Sequence, residues 1–481
     1  MEALPLVVDA LRAKGFQLVT LHELLGKTRE DIMPIVSFNS SADKVIAGIR
    51  QSSILAISNI PKLLLSLGLV LGAIGFLRYT FVILAARREI RRERQREHSR
   101  YWPSIAVIVP AYNEEMVICK TIESVLATSQ NDFEVIVIDD GSRDSTAEIV
   151  RRTFADDPRV KVFVKPNGGK ATAANFGLRQ TSADVVVCID ADTVLSNDAI
   201  PLLVRHFADA RVGAVAGAAI VGNQINFLTQ FQAIEYSISQ YLDRRALALF
   251  NAIGVVPGAI GAWRREALLA VGGYSSETLA EDADATFAII NAGWKVISEP
   301  GAEARTEAPE GVKAFIKQRR RWMFGTLQVA VKHSRVALSK KNGLILLTIP
   351  NAVLSLLGFA LIIPVLDGVS IISLVSSVGH YLGANETEVS STNLETLAWW
   401  IIFQVFYLLA VAGALAAVKI QCGSKLVLML LLQRFLYAPL LYWVAAATTL
   451  RALKGQALGW GKLARTGSVS LPERSQEAPA H

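Results

Sequence analysis

The chain has 481 residues, enough for a sizeable soluble core together with several membrane spans. Hydrophobic residues make up 52% of it and charged residues 19%, a balance expected when lipid surrounds part of a chain. The net charge is +7, and seven arginines lie within residues 87–100, directly after an apolar run. No aromatic-interleaved nucleic-acid motif accompanies them, so we predict a cytoplasmic membrane flank and no nucleic-acid partner. A solvated charged helix would explain the same arginines.

The first thirty residues show helical spacing of apolar positions over 3–14, a helix-ending Gly15, a short strand over 16–21 and a further helical turn. They lack the basic end and apolar stretch of a cleavable signal peptide. We therefore expect the first apolar run to be a retained membrane anchor.

Long apolar runs at residues 61–86, 343–379, 396–419 and 425–450 enclose a segment of ordinary soluble composition. We predict a transmembrane helix over 61–86, a basic cytoplasmic linker over 87–104 and a catalytic domain over 105–325. An interfacial helix over 326–342, about three to four spans within 343–450 and a tail over 451–481 would follow.

Valine- and isoleucine-rich runs at residues 105–110, 134–139, 160–164 and 184–190 alternate with helix-like stretches. This alternation predicts an α/β fold with a parallel sheet, helices on both faces and a ligand site beyond the carboxyl ends of the strands. Polar residues follow all four runs, namely Tyr112 with Asn113, Asp140, Asn167 to Lys170, and Asp192.

Asp190 and Asp192 come at the end of the fourth run, where alternate residues can turn both carboxylates toward one cation. A divalent cation there, Mg²⁺ or Mn²⁺, would neutralise a diphosphate that leaves when a sugar–phosphate bond breaks. The alternative is a pair of capping or surface carboxylates, which a preceding buried strand makes less favoured.

The second and third runs end in Asp140 and in a turn that closes on Lys170. Asp140 can accept hydrogen bonds from a uracil edge or a ribose hydroxyl, or it can cap the next helix, as Ser142 and Asp144 also can. Lys170 offers a cation for a phosphate or sugar. The turn is not a Walker loop, because Ala171 replaces the required serine or threonine.

Glu281, Asp282 and Asp284 form a second acidic group. An inverting glycosyl transfer needs a general base that takes the proton of the acceptor hydroxyl, and Asp282 is our candidate. The same carboxylates also suit the N-terminus of a helix over residues 284–291.

Gln318, Arg321 and Trp322 have the spacing of one helix face. An arginine beside a leaving diphosphate and an indole stacked on an acceptor sugar would use this face. An interfacial basic helix explains it equally well.

The order of these motifs, from residues 109–114 through 168–170, Asp190 with Asp192 and residues 258–265 to Glu281-Asp282 and residues 318–322, resembles the processive, membrane-integrated family 2 glycosyltransferases. The resemblance covers about residues 60 to 470. That family includes cellulose, chitin, hyaluronan and poly-N-acetylglucosamine synthases. The resemblance implies a GT-A (Rossmann-like) fold, a UDP-sugar donor and a growing polysaccharide as acceptor.

The resemblance also implies roles for individual residues. Pro110, Tyr112, Glu114, Asp140, Lys170, Asp190 and Asp192 fall on nucleotide-sugar contacts, with Asp190 and Asp192 also on the metal. Asp282 falls on the catalytic base, and Gln318, Arg321 and Trp322 fall on the motif that binds the acceptor end and the diphosphate. Ala280 departs from the pattern, since many members have threonine there.

Residues 433–437 and 459–465 resemble the poly-N-acetylglucosamine branch, in particular members fused to a polysaccharide deacetylase. Residues 4–21 resemble the last helix and strand of deacetylase domains, without any of their metal ligands. The resemblance implies a deacetylase remnant over 1–30, an extracytoplasmic linker over 31–59, and accessory export or deacetylase subunits as candidate partners.

The membrane topology stays open. Arg78 interrupts the first span and must snorkel, pair or face a polymer path. The acidic loop at residues 380–395 favours the outside, whereas residues 419–425 and the tail are basic and favour the inside. The number of spans and the side of the C-terminus therefore remain undecided.

We predict an inverting, processive hexosyltransferase of the cell membrane, multi-pass, with its catalytic domain in the cytoplasm. It would polymerise N-acetylglucosamine or a related hexose into a β-linked polysaccharide and export it. A non-processive transferase acting on a lipid acceptor and a catalytically silent sugar-nucleotide sensor are the alternatives.

Overall fold

The computed structural model describes residues 3–17, 19–28, 66–67, 70–93, 101–129, 132–340, 342–354, 358, 360–382 and 469, and residues 397–454 apart from 399, 403, 406–407, 410, 413–427 and 431. Residues 1–64 and 65–481 form two separate compact units. The predicted linker over 31–59 lies outside the described residues.

In the first unit, helix α1 (Ala3–Ala13) is followed by Gly15 at φ 85°, and helix α2 is Leu21–Leu24. Both predicted helical segments are confirmed. The predicted strand over 16–21 is wrong, because its described residues are in neither strand nor helix before α2 begins. The described part of this unit offers no neighbouring strand with which such a segment could form a ladder.

The second unit contains one eight-stranded sheet in the order β3-β2-β1-β4-β7-β6-β8-β5. Its strands are β1 (Ile105–Ala111), β2 (Glu134–Asp139), β3 (Val160–Val164), β4 (Val185–Cys188), β5 (Val194–Leu195), β6 (Val212–Val221), β7 (Gly261–Arg264) and β8 (Lys295–Thr306). The first four strands are parallel, as predicted. A wholly parallel sheet is wrong, because β7 runs antiparallel to β4 and β6, and β5 to β8. These two strands have only four and two residues and no apolar run of their own.

Helices cover both faces of the sheet, as predicted. The described helices of this unit include α3 (Val70–Glu93), α4 (Ile118–Leu126), α5 (Thr146–Thr153), α6 (Lys170–Arg179), α7 (Ala199–Val204), α8 (Phe227–Ile238), α9 (Arg244–Ala248), α10 (Arg265–Ala270), α11 (Glu281–Asn291), α12 (Val312–Lys340), α13 (Ile349–Val353), α14 (Ala360–Leu382) and α15 (Ala438–Leu453). On the sheet, α4 and α7 pack into one core, and α6 and α11 pack into the other. Single π-helical segments are Ser239–Asp243, Leu344–Thr348 and Gln433–Tyr437. Successive strand residues point alternately into two hydrophobic cores, one on each face of the sheet, with Val107 in one and Ile108 in the other.

The predicted domain boundary between residues 325 and 326 falls inside the continuous helix α12.

Two described helices, Val70–Glu93 and Leu428–Leu453, are long and apolar enough to cross a membrane. The predicted three to four C-terminal spans therefore stay a prediction, since much of residues 383–427 lies outside the described part of the chain. Val469, in the predicted tail, is buried against Gly222 just beyond β6. This tail residue therefore contacts the chain at the end of the sheet strand β6.

Arg78 pairs with neighbours in the protein, one of the three outcomes that the sequence left open. Its Nη2 lies 3.3 Å from Asp243 Oδ1, and its Nε donates to Asn351 Oδ1 at 2.7 Å. Burial raises the pKa of the Asp243 carboxyl, and the attraction of Arg78 opposes that rise. Next to this pair, an apolar cluster joins α3 to the segment after α8, formed by Val82, Ala85, Ala86, Leu242 and Ala246. Helix α3 therefore packs on the segment after α8 through both polar and apolar contacts.

Arg78→Met should lower the free energy of unfolding by about 2 kcal/mol, because it leaves the buried Asp243 carboxylate without its cation. The double variant Arg78→Met/Asp243→Asn should regain part of this loss, since the charge itself is removed. Thermal unfolding of detergent-solubilised protein measures both changes. Equal losses in the single and double variants would contradict the coupling.

Candidate active site

A cleft lies where β1 and β4 end. Seven parts of the fold contribute to it: the end of β1, the end of β4, the start of α6, the loop before β7, β7 itself, the segment after α10 and the first turn of α11. Its lining residues include Pro110, Lys170, Cys188, Gly258, Trp263, Tyr274, Glu281 and Asp282. The predicted location beyond the carboxyl ends of parallel strands agrees with this position.

Lys170, the first residue of α6, is the cation of the cleft. Its Nζ lies 2.5 Å from Asp190 Oδ1 and 3.2 Å from Glu281 Oε1. Burial lowers the pKa of Lys170, but the carboxylates of Asp190, Glu281 and Asp282 raise it by more, so the net shift is upward. The ammonium therefore stays charged and joins two acidic groups that are distant in the sequence.

Asp282 is held by backbone groups on both oxygens. Its Oδ2 accepts a hydrogen bond from Gly258 N at 3.1 Å, and its Oδ1 accepts one from Ala283 N at 2.8 Å. Burial and then the neighbouring Glu281 carboxylate raise the pKa of Asp282 to about 6, against the opposing pull of Lys170. A carboxylate with such a pKa can take up a proton near neutral pH.

The helix that carries these carboxylates begins earlier than the sequence predicted. α11 starts at Glu281, and Asp284 N already donates to Ala280 O at 2.9 Å. Glu281, Asp282 and Asp284 therefore share the first turn, where acidic side chains are favoured. The carboxylates therefore begin a helix, as the second interpretation predicted, and Glu281 and Asp282 face the cleft, while the base role of Asp282 stays a prediction.

Asp190 and Asp192 lie in the turn between β4 and β5. The Asp190 side chain is 31% exposed and lies against Lys170 of the cleft, whereas Asp192 is buried. Thr121 holds the turn by donating to Ala191 O at 2.7 Å. Among the described residues no group of three or more His, Cys, Asp or Glu side chains is arranged to hold a metal. Two carboxylates plus diphosphate oxygens are nevertheless a ligand set that suits Mg²⁺ or Mn²⁺, so the residues fit such an ion.

Asp140 has protein partners on its carboxylate and is almost fully buried. It accepts hydrogen bonds from Gly168 N at 3.0 Å, from Gly169 N at 2.7 Å and from the ammonium of Lys165. These bonds fix the turn that immediately precedes Lys170. The contact of Asp140 with a nucleotide stays a prediction, and the structure adds this role in holding the turn.

Tyr112 and Glu114 lie in the loop after β1, which is tied to the loop after β2. Glu114 N donates to Thr146 Oγ1 at 2.8 Å, and Asn113, at φ 52°, accepts from Arg143 N at 2.7 Å. The two loops therefore form one polar rim beside Pro110, and the predicted nucleotide contacts of Tyr112 and Glu114 remain predictions.

The motif helix α12 packs on the residues just before Glu281. Gly325 lies so close to Ala280 that a Cβ at Gly325 would be 2.8 Å from the Ala280 Cβ, and Gln328 accepts from Leu279 N at 3.0 Å. Gln318, Arg321 and Trp322 precede Gly325 by seven, four and three residues, so they share its helix face. The predicted acceptor motif thus lies on the face that approaches the first turn of α11.

Arg319 is a site-adjacent residue that the sequence analysis missed. It is buried, its guanidinium carbon lies 4.6 Å from the Trp322 ring centroid, and it donates to Glu235 at 2.7 Å and to Tyr437 at 3.1 Å. Its partners are 84 and 118 residues away, so local spacing carried no signal for them. Trp263 was inside a motif segment and was not singled out, although it lines the cleft.

Residues 106–272 match the family model for glycosyl transferase family 2. Poly-beta-1,6-N-acetyl-D-glucosamine synthases of Staphylococcus aureus (strain COL) and Staphylococcus epidermidis are each 31% identical to the chain over 229 residues. That match covers 47% of this chain and 56% of each relative, so the chain spans about half the length of the curated relatives it matches.

A solved mannosyltransferase from Pyrobaculum calidifontis, in complex with GDP-mannose and Mn²⁺, is similar at a TM-score of 0.51 and 19% identity. The match covers 82% of this chain and 100% of that chain, and at this identity it shows the fold alone. The predicted GT-A-like α/β fold is confirmed for the glycosyltransferase domain. Together the similarities support the prediction of a hexosyltransferase.

Gly258→Ala should reduce sugar transfer at least tenfold while barely changing the unfolding midpoint. A Cβ at residue 258 would lie 2.4 Å from Lys170 Nζ, which can move away from Asp190 because it ends a flexible side chain. Gly311→Ala is the matched control, since nothing lies within 4 Å of a Cβ there. Initial rates and melting curves of the three proteins measure the effect, and normal transfer by Gly258→Ala would refute it.

Proposed function

We propose that this protein is an inverting glycosyltransferase that moves N-acetylglucosamine, or a related hexose, from a UDP-sugar onto a growing β-linked polysaccharide. The observation that carries the proposal is the cleft of the glycosyltransferase domain, where Asp282 lies beside the Lys170 ion cluster. Similarity to poly-β-1,6-N-acetylglucosamine synthases supports a polysaccharide product and this sugar.

The donor would bind with its diphosphate at the Asp190 side of the cleft. Asp190 and Asp192 would hold Mg²⁺ or Mn²⁺, which when bound neutralises the diphosphate. Lys170 already lies against Asp190 and can turn its ammonium to a phosphate oxygen. The rim formed by Tyr112, Glu114 and Asp140 would receive the uridine.

Asp282 would act as the general base. Its carboxylate takes the proton of the acceptor hydroxyl as the hydroxyl oxygen forms a bond to the anomeric carbon. The bond from that carbon to the diphosphate oxygen breaks, its electron pair leaves with UDP, and the configuration inverts. Because Asp282 is anchored by two N–H groups, its carboxylate stays oriented during the transfer.

The acceptor would approach along α12. Trp322 offers an indole for stacking on a sugar ring, while Gln318 and Arg321 lie on the same helix face. The guanidinium of Arg319 packs on the Trp322 ring and donates a hydrogen bond to Tyr437, which connects α12 to that residue. Export of the product through the C-terminal helices, processive extension and a multi-pass topology with a cytoplasmic catalytic domain belong to the same proposal, as do deacetylase or export partners.

The direct test offers membranes that contain the protein a panel of labelled UDP-sugars with Mg²⁺ or Mn²⁺, followed by size and linkage analysis. A long β-linked N-acetylglucosamine polymer is the expected product. A single sugar on a lipid would identify a non-processive transferase, and absence of any transfer would identify a sensor; either result would overturn the proposal.

Asp282→Asn should reduce transfer by at least about 1,000-fold, because the amide cannot take the acceptor proton. UDP binding should stay within about threefold of wild type, since Lys170, Asp190 and the loop rim are unchanged. Rate assays and calorimetric UDP titration provide the two readouts. Undiminished turnover would remove Asp282 from the mechanism.

The rate should rise with pH through about 6. Asp282 has a pKa of about 6 and serves as a base only when deprotonated, so kcat/KM should fall tenfold per pH unit below that value and level off above it. A pH–rate profile at saturating metal measures this. A rate that is flat from about pH 5 to pH 7 would contradict the assignment.

A further inference from the structure

Asp284 is a buried carboxylate that the proposed chemistry leaves unused, although it lies one residue beyond Ala283 in the same helical turn as Asp282. Its Oδ1 accepts from His333 Nε2 at 2.6 Å, and its Oδ2 accepts from Lys332 Nζ at 2.9 Å and from Thr278 Oγ1 at 3.1 Å. Burial raises the pKa of Asp284, but the hydrogen bonds from His333 and Lys332 lower it by more. The carboxylate is therefore charged and fully engaged by α12 and the preceding loop.

The bond from His333 is the last of a chain of hydrogen bonds that run in one direction. Leu344 N donates to Asn342 Oδ1 at 3.2 Å, and Asn342 Nδ2 donates to Asn291 Oδ1 at 2.7 Å. Asn291 Nδ2 then lies 3.2 Å from His333 Nδ1. Because a backbone N–H can only donate, it orients both amides in turn, and His333 is left to accept at Nδ1 and donate at Nε2.

This series of hydrogen bonds connects two regions of the protein. Leu344 begins the π-helical segment that opens the apolar C-terminal region, and Asp284 lies in the turn that carries Asp282. Gly325 and Gln328 of α12 contact Ala280 and Leu279, the residues just before this turn, and lie on the same helix face as Lys332. Movement of the C-terminal region can therefore reach the first turn of α11 through hydrogen bonds alone.

We propose that His333 is a positioning residue: through Asp284 it fixes the first turn of α11, and through Asn291 and Asn342 it couples that turn to the start of the apolar C-terminal region. The effect on turnover rests on the proposed function, because it requires Asp282 to be the base. The effect on the structure of α11 does not.

The test compares His333→Leu with His333→Gln, whose amide N–H can still donate to Asp284. Hydrogen–deuterium exchange over residues 279–286 of the full chain should become about tenfold faster in His333→Leu and return toward wild type in His333→Gln. Asn342→Ala, at the less buried end of the chain, is a second variant that should speed exchange in the same direction if His333→Leu does not fold.

His206→Leu is the matched control. His206 is also buried, and its Nε2 lies 2.8 Å from the Glu299 carboxylate. Its neighbours Leu203 and Phe207 belong to the core on the face of the sheet opposite to α11. The His206→Leu variant should lower the melting temperature without changing exchange over residues 279–286. Unchanged exchange in His333→Leu and Asn342→Ala, or an equal change in His206→Leu, would overturn the proposal.

Turnover separates this proposal from the proposed function. If wild type transfers sugar, His333→Leu should lower kcat by about 100-fold, with the donor KM changed less than about threefold, because the donor contacts at Lys170 and Asp190 are intact. His333→Gln should restore most of kcat. A loss confined to KM would overturn the positioning role. If wild type transfers no sugar, the proposed function fails, and the exchange result still decides for or against the role of His333.

Discussion

The candidate site depends on the ion pairs that the ammonium group of Lys170 makes with Asp190 and Glu281. The ammonium brings Asp190, which follows a strand, against Glu281, which begins a helix ninety-one residues later. Without this cation, the partly buried carboxylates of Asp190, Glu281 and Asp282 would repel one another. The fold in turn fixes Lys170, through the turn that Asp140 holds and through the absence of a side chain at Gly258. The groups proposed to bind the nucleotide and to act as the base are thus linked by one set of ion pairs.

Long helices connect this unit to the apolar ends of the chain. α12 packs on the residues before Glu281 and, through Arg319, on Tyr437 near the last apolar helix. α3 is joined to the catalytic unit by Arg78 and Asp243. The proposed release of the product toward a membrane needs such connections, because in that proposal the acceptor end returns to Asp282 after every transfer. The same contacts explain why an arginine is tolerated inside an otherwise apolar helix.

The sequence was most informative where chemistry and local pattern coincide. Strand runs ending in polar residues indicated Lys170 and Asp190, and the acidic group of Glu281 and its neighbours indicated Asp282. In the fold, Lys170 lies against Asp190 and shares the cleft with Asp282. The sequence could not predict β5 and β7, whose four or fewer residues carry no periodicity. Nor could it predict the roles of Arg319 and His333, because their partners are fixed by tertiary packing and not by spacing. For Arg78, the sequence left snorkelling, pairing and facing a polymer path open, and the structure shows that Arg78 pairs with Asp243.

The most direct test of this account is a cryo-electron microscopy structure of the Asp282→Asn protein with UDP-N-acetylglucosamine and Mn²⁺. The account predicts the metal and diphosphate at Asp190 and Asp192, with Lys170 turned to a phosphate oxygen. It also predicts the anomeric carbon facing residue 282, on the side from which α12 presents Trp322. A nucleotide bound outside this cleft, or an anomeric carbon that faces away from residue 282, would contradict the central claim that this ion cluster forms the transfer site.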